Sequence, residues 1–195
     1  MSTPVLHLLA GPNGSGKSTF VDRHLAPATH LPFVNADVIA ARTWPGDEVA
    51  HAYEASRLSA DERRRLLGVR ASFMTETVFS HESKVDLVRW AVDLGYLVTL
   101  HVVLVPVELS LARVADRVAR GGHAVPEEKV RARHARLWPL VARAATQSDR
   151  AMFYDNTRAT SPFRQVAELD HGAPVGLPDW PVWAAPELVG LTERP

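Results

Sequence analysis

The chain has 195 residues, of which 46% are hydrophobic and 23% charged, and its 22 basic and 22 acidic side chains give a formal net charge of +0. This length and composition predict one globular domain with a full core, and the neutral balance argues against nucleic acid as a partner. The sequence contains no cysteine, which excludes disulfides, thiolate metal sites and thiol nucleophiles and suits a reducing compartment.

Apolar runs and helical periodicity alternate along the chain. They predict five strands, at residues 5–10, 31–34, 71–75, 97–105 and 152–154. The main helices are predicted at residues 18–25, 48–67, 81–94, 108–120 and 126–145. No apolar run approaches the ~20 residues of a membrane span, so we expect no membrane segment. Because the first predicted strand starts close to the first residue, we also expect no signal peptide. Together these expectations favour a cytoplasmic location.

This alternation is typical of an α/β fold in which a five-stranded, mostly parallel sheet carries helices on both faces. We expect residues 1–160 to form that core, including a helical lid at about 107–147. Residues 161–195 are expected to be an irregular C-terminal extension packed on the core, because the last part of the chain is rich in proline. In the helix at 48–67, the apolar positions are expected to be buried and residues 63–65 to face solvent.

Residues 11–18, Gly-Pro-Asn-Gly-Ser-Gly-Lys-Ser, fit the phosphate-binding pattern G-x-x-x-x-G-K-[ST] directly after the first strand. Glycine allows a loop whose backbone N–H groups converge on one anion. We expect Lys17 to be exposed before nucleotide binds and to reach the β- and γ-phosphates, while Ser18 ligates Mg²⁺. A glycine-rich turn without a ligand would not require Lys and Ser at these offsets. The predicted nucleotide-binding residues are Gly11, Pro12, Asn13, Gly14, Ser15, Gly16, Lys17, Ser18 and Thr19.

Ligands of open α/β sheets bind beyond the carboxyl ends of the strands, where this sequence places polar side chains. Asp37 follows the second strand; it could take the proton of an acceptor hydroxyl or hold Mg²⁺ through water, or it could simply cap a helix. Glu76 closes the third strand and could bind the acceptor, or pair with a neighbouring arginine. Asn156 follows the fifth strand and could hydrogen-bond the nucleotide base, or form an Asx turn.

Residues 111–136 carry seven Lys or Arg against three Asp or Glu. Phosphoryl transfer needs positive charge on the transferring group, and two helices hinged at Gly121-Gly122 could lower arginines over the nucleotide. Some of these arginines are expected only to solvate a helix face, in particular Arg113 and Arg136. His123 is a further candidate.

Together, an ordered set of motifs resembles the zeta toxin family, in the compact branch often described as a predicted ABC-type ATPase. The set covers residues 4–158, and its motifs lie at residues 11–19, 35–40, 72–80, 95–96, 117–126 and 154–156.

The resemblance implies a P-loop kinase that uses ATP or GTP with Mg²⁺ to phosphorylate a small-molecule acceptor, the nucleotide sugar UDP-N-acetylglucosamine, and it allows for an antitoxin partner. It implies that Asp37 is the catalytic aspartate and that Glu76 binds the acceptor. Asn35 and Thr77 lie beside them in these motifs. Arg120 and Arg133 would be the two transition-state arginines, with Arg117 as a competitor for the first.

The chain is shorter than the better-known toxins and differs from them in the lid, at residues 121–126, and both differences concern the acceptor more than the reaction. Two alternatives remain open. The protein could be a kinase of another acceptor, such as an antibiotic, a metabolite or a nucleic-acid end. It could also be a nucleotide-dependent switch or ATPase without an acceptor. Against the last, the sequence lacks the Leu-Ser-Gly-Gly-Gln and Asn-Lys-x-Asp motifs.

Overall fold

A computed structural model describes residues 3–120 and 125–193. Its strands are β1 (Val5–Ala10), β2 (Phe33–Val34), β3 (Phe73–Thr77), β4 (Leu97–Leu104), β5 (Arg150–Asp155), β6 (Arg164–Asp170) and β7 (Ala173–Pro174). They form one sheet in the order β2-β3-β1-β4-β5-β6-β7. The first five strands pair in parallel, and β6 and β7 are antiparallel. The predicted α/β class and mostly parallel sheet are therefore confirmed.

Over the described residues the sheet has seven strands, so the prediction of five was wrong. The two additional strands come from residues 161–195, which were expected to be irregular. Proline is absent from β6 and recurs from Pro174 onward, and the apolar side chains of Val166 and Leu169 are buried. Beyond the strands, the Trp180 ring packs against Phe153 with 5.1 Å between the centroids. The division of the chain at residue 160 stays a prediction.

The first helix after β1 consists of three consecutive segments: α1 (Lys17–Phe20), a π-helical segment (Val21–Leu25) and α2 (Ala26–Thr29). The others are α3 (Ala36–Thr43), α4 (Ala52–Gly68), α5 (Ser83–Asp93), α6 (Val107–Ala119), α7 (Glu127–Gln147) and α8 (Pro186–Val189). Throughout the two described ranges, every helix is too short or too polar to cross a membrane.

The core lies on both faces of the sheet. Alternation along β1 sends Leu8 to one face and Leu9 to the other. The larger cluster lies on the Leu8 face, where α4, α5 and α7 cover the sheet; the smaller cluster contains Leu9 and Phe20 and lies under α1. The predicted helices on both faces are thus present.

Individual residues of α4 depart from expectation. Arg63 is buried, with 6% of its surface exposed, although residues 63–65 were predicted to face solvent. It follows the buried residues Ala55 and Ser59 at intervals of four, which places all three on one side of the helix. Leu58, expected inside, is 38% exposed.

Candidate active site

The loop between β1 and α1 adopts a conformation that requires glycine. Gly11 and Gly16 have φ values of 151° and 98°. A Cβ on Gly11 would lie 2.5 Å from the carbonyl oxygen of Val103, and one on Gly16 would lie 2.6 Å from Nδ2 of Asn156. Any larger residue would therefore collide with backbone or with a buried side chain.

Side chains from outside the loop hold its carbonyl groups. Ser110 Oγ donates to the carbonyl oxygen of Asn13 at 2.5 Å, and Asn156 Nδ2 donates to that of Ser15 at 2.7 Å. Because the C=O and the following N–H of a trans peptide point in opposite directions, these bonds direct the N–H groups of Gly14 and Gly16 away from Ser110 and Asn156. Such an orientation suits an anion-binding nest. Ser15 Oγ is also buried without a hydrogen-bond partner among the described residues, and it could donate to a phosphate oxygen.

Lys17 lies beneath the loop and not in solvent, so the expectation of an exposed lysine was wrong. It is 6% exposed, and its Nζ donates to the carbonyl oxygen of Pro12 at 2.9 Å. The ammonium group therefore bonds back to the loop that precedes its own helix. Burial lowers the pKa of Lys17, while the negative charges of Glu76 and Asp37 raise it. The two carboxylates therefore act on this lysine.

Glu76, near the end of β3, joins Lys17 and Ser18. Its Oε2 accepts a hydrogen bond from Ser18 Oγ at 2.8 Å, and its Oε1 lies 4.0 Å from Lys17 Nζ. The alternative of a salt bridge to an arginine therefore gives way, within the described residues, to a contact with the P-loop lysine. Thr77, at the end of the same strand, accepts from the backbone N–H of Phe79 at 3.2 Å through its Oγ1.

The donor set fits Mg²⁺. The Ser18 hydroxyl and the Glu76 and Asp37 carboxylates are hard oxygen ligands of the kind Mg²⁺ prefers. In the described part of the chain, no three His, Asp or Glu side chains are grouped so that they could hold a metal ion by themselves. Such a site suits a cation that is held mainly by nucleotide phosphates and water.

Asp37 does not cap α3. That position belongs to Asn35, whose Oδ1 accepts hydrogen bonds from the backbone N–H of Asp37 at 2.6 Å and of Val38 at 3.2 Å. The capping alternative for Asp37 was therefore wrong. Its carboxylate is exposed in the first turn of α3, where an acceptor can reach it. Asn35 is buried, and its predicted contact with an acceptor stays a prediction.

The lid arginines occupy different positions relative to the loop. The positive charge of Arg117, on α6, lowers the pKa of Lys17. Arg120 is 78% exposed and pairs with Asp116, whose Oδ2 lies 2.9 Å from its Nη2. Arg133, on α7, is half-buried. The proposed hinge at Gly121-Gly122 and His123 lie outside the described residues.

Arg113 was expected to face solvent, but it contacts the P-loop. Its Nη2 donates to the carbonyl oxygen of Asn156 at 2.9 Å, and its Nη1 to that of Gly14 at 3.4 Å. The sequence signal that could have indicated this is helical spacing, because Arg113 lies between the buried residues Ser110 and Val114 on α6.

Asn156 also connects the loop to the sheet. Besides its bond to Ser15, its Oδ1 accepts from the N–H of Phe163 at 3.4 Å. The Asx turn considered for Asn156 is formed instead by Asp155, whose Oδ1 accepts from the N–H of Thr157 at 2.9 Å. The predicted contact of Asn156 with a nucleotide base stays a prediction.

Residues 6–140 match the AAA_33 family, described as an AAA domain. The match covers more than half of the chain. The protein belongs to this family. It is also similar to an uncharacterized protein of Haemophilus influenzae, with 29% identity over 125 residues that cover 64% of this chain and 88% of that protein.

Solved structures share the fold. A chain of the AvrRxo1-ORF1:AvrRxo1-ORF2 complex with ATP superposes with a TM-score of 0.69 and 21% identity, over 89% of this AAA_33 protein and 60% of that chain. The protein thus spans about 60% of the length of that neighbour. A chain of the PezAT toxin–antitoxin system of Streptococcus pneumoniae superposes with a TM-score of 0.58 and 13% identity, over 85% of this protein and 72% of that chain. Shikimate kinase from Acinetobacter baumannii, in complex with shikimate, superposes with a TM-score of 0.52 and 22% identity, over 80% of this protein and 86% of that chain. The predicted P-loop kinase-like fold is confirmed.

Proposed function

We propose that this protein is a P-loop kinase that transfers the γ-phosphoryl group of ATP or GTP to a hydroxyl group of a small molecule. The observation that carries the proposal is that the negative charges of two carboxylates act on the P-loop lysine. Glu76 lies 4.0 Å from Lys17, and the charge of Asp37 also acts on that lysine. A site that only bound nucleotide would gain little from an exposed carboxylate that does not cap its helix.

The nucleotide would be held by the P-loop. Its backbone N–H groups bind phosphate oxygens, and Lys17 neutralises the β- and γ-phosphates after exchanging its bond to Pro12 for them. Ser18, with Glu76 and Asp37 nearby, would hold Mg²⁺, which supplies charge neutralisation and alignment of the phosphates when bound.

Asp37 would act on the acceptor. As the acceptor oxygen forms its bond to the γ-phosphorus, its proton passes to the Asp37 carboxylate and the bond to the nucleoside diphosphate breaks. The position of Asp37 in the first turn of α3 keeps this carboxylate open to an incoming hydroxyl. Glu76, Asn35 and Thr77 are proposed to position the acceptor at the ends of β2 and β3.

Positive charge from the lid would stabilise the transferring phosphoryl group. Of the candidates, Arg117 is supported by its electrostatic effect on Lys17, whereas Arg120 is engaged with Asp116 at the surface. We therefore assign the first transition-state arginine to Arg117, and Arg133 remains the candidate for the second.

The zeta toxin resemblance supports UDP-N-acetylglucosamine as the first acceptor to test, and the fold shared with a chain of the PezAT toxin–antitoxin system supports a search for an antitoxin partner. The deciding experiment compares ATP consumption with and without acceptors, using UDP-N-acetylglucosamine, shikimate and gluconate, with mass spectrometry of the products. We expect one acceptor to raise ATP consumption and to gain one phosphoryl group. Equal ATP consumption with every acceptor, with a metabolite extract and with none would contradict the kinase proposal and favour the ATPase alternative.

A further inference from the structure

A groove between α4 and α5 contains a second group of basic side chains. Both helices cover the sheet face opposite the face under α1. The groove has a volume of about 390 Å³, which is enough for a small ligand. Its charged lining comprises four basic and two acidic side chains: Arg63, Arg64, Lys84, Arg89, Asp86 and Asp93.

Arg63 is a buried cation with little compensation. It is 6% exposed, and its Nη1 donates to Thr75 Oγ1 at 3.3 Å. That hydroxyl itself donates to the carbonyl oxygen of Val34 at 2.8 Å. A guanidinium group has five N–H donors, and within residues 3–120 and 125–193 no carboxylate pairs with this one. A buried charge without a counter-charge is costly, so this position suits an anion.

Lys84, in the first turn of α5, adds a second cation. Burial, and then the positive charge of Arg63, lower the pKa of Lys84 to about 8. The acidic residues of the groove do not neutralise the charges of Arg63 and Lys84. Asp86 pairs with Arg89, with 2.6 Å between Oδ1 and Nη2. Asp93 lies about 13 Å from Lys84 along the axis of α5, at a rise of 1.5 Å per residue. The end of the groove at Arg63 and Lys84 is therefore positively charged.

We propose that Arg63 and Lys84 form an anion site that binds the phosphate group of a small molecule. The guanidinium and ammonium groups can both donate to phosphate oxygens, and the site lies at the N-terminal end of the 11-residue helix α5, whose dipole favours negative charge. The Trp90 ring, 40% exposed, lines the same groove and offers a flat apolar surface to the rest of the ligand. None of the residues that line this groove belongs to the P-loop, and the proposal does not rest on the proposed kinase activity.

The test is a titration with inorganic phosphate while a saturating, non-hydrolysable ATP analogue and Mg²⁺ occupy the P-loop. NMR of the Lys84 side chain is the readout. We expect saturable binding that raises the pKa of Lys84, because an anion stabilises the charged ammonium group. Lys84→Gln and Arg63→Gln should each weaken phosphate binding at least about tenfold, as expected for the loss of a charge-assisted hydrogen bond. Because Lys84→Gln lacks the lysine signal, its phosphate binding is followed by chemical-shift changes of the α5 backbone amides.

Arg64→Gln is the matched control, because Arg64 is exposed on the same helix and pairs with Asp61. It should leave the phosphate affinity within about twofold, since exposed ion pairs contribute little. Because Arg63 is buried, Arg63→Gln could unfold the protein. The conclusion therefore rests on the phosphate affinity of Lys84→Gln, whose fold is checked by circular dichroism. No saturable response, unchanged binding in Lys84→Gln, or an equal loss in Arg64→Gln would overturn the proposal.

Parallel titrations with a sugar phosphate and a nucleoside monophosphate identify the source of the phosphate group. Tighter binding of either compound than of inorganic phosphate would support a phosphorylated metabolite as the ligand, with Trp90 contacting its remainder. Equal affinities would support free phosphate at the same site.

Discussion

Replacing Asn156 with alanine removes the side chain that joins the P-loop to the end of β5. The Nδ2 group donates to the carbonyl oxygen of Ser15 at 2.7 Å, and Asn156 is 8% exposed. Its second bond, to the N–H of Phe163, is long at 3.4 Å and should contribute little.

The expected cost follows from these contacts. Truncation leaves the buried carbonyl oxygen of Ser15 without its donor, which costs about 1–3 kcal/mol. Taking the middle of that range, the free energy of unfolding should fall by about 2 kcal/mol, or roughly 4–8 °C in Tm for a chain of this size. Because the same bond fixes the orientation of the peptide group between Ser15 and Gly16, phosphate binding should weaken as well.

Asn156 braces the P-loop if its main role is the hydrogen bond to Ser15. Two assays separate this bracing role from the alternative, which is a contact between Asn156 and the nucleotide base. Thermal unfolding without nucleotide measures stability, and titrations compare ATP with inorganic triphosphate, which has no base. Bracing predicts a lower Tm and similar losses of affinity for both ligands. An unchanged Tm, with a loss of affinity for ATP alone, would refute the bracing argument and support the base contact.

Three further variants test the site. Glu76→Gln removes a negative charge that raises the pKa of Lys17, so the pKa of Lys17 should fall further. ATP affinity should then begin to decline at a lower pH than in the wild type. Identical pH profiles of ATP affinity for the variant and the wild type, measured between about pH 7 and about pH 10, would contradict this. Arg117→Ala should lower the rate of phosphoryl transfer by roughly 10²–10³ while ATP still binds. Arg120→Ala should have little effect on the transfer rate in the same steady-state assay. Equal losses of transfer rate in the two variants would remove the distinction between the two arginines. Arg113→Ala should weaken ATP and inorganic triphosphate alike in binding titrations, because Arg113 holds the loop carbonyl of Gly14, and unchanged affinity for both would argue against that role.

Local patterns predicted most of the parallel sheet. The P-loop spacing, the alternation of strands with helices and the polar residues at strand ends all depend on neighbours in sequence, which is why β1, α1 and the position of Glu76 were anticipated. The strand β6 was missed because its buried residues are few, namely Val166, Ala167 and Leu169, while the prolines that follow suggested irregular chain.

The contacts that complete the site join residues far apart in sequence. Arg113 reaches Gly14 across 99 positions, and Asn156 reaches Ser15 across 141. Helical spacing could indicate that Arg113 faces inward, but nothing in the local sequence of Arg113 or Asn156 identifies its partner. The burial of Lys17 likewise depends on how the loop folds over it, and the capping of α3 by Asn35 instead of Asp37 depends on backbone geometry.

The central claim is that Asp37 acts on an acceptor while the P-loop acts on the nucleotide. Its most direct test is acceptor-dependent ATP turnover by Asp37→Asn, measured at saturating ATP with the acceptor that stimulates the wild-type protein. The substitution keeps the size and hydrogen bonding of the side chain but removes the base, so transfer should fall by roughly 10²–10⁴ while ATP still binds. Lys17→Ala, in contrast, should lose both transfer and ATP binding. Near wild-type phosphorylation of the acceptor by Asp37→Asn would contradict the proposed mechanism.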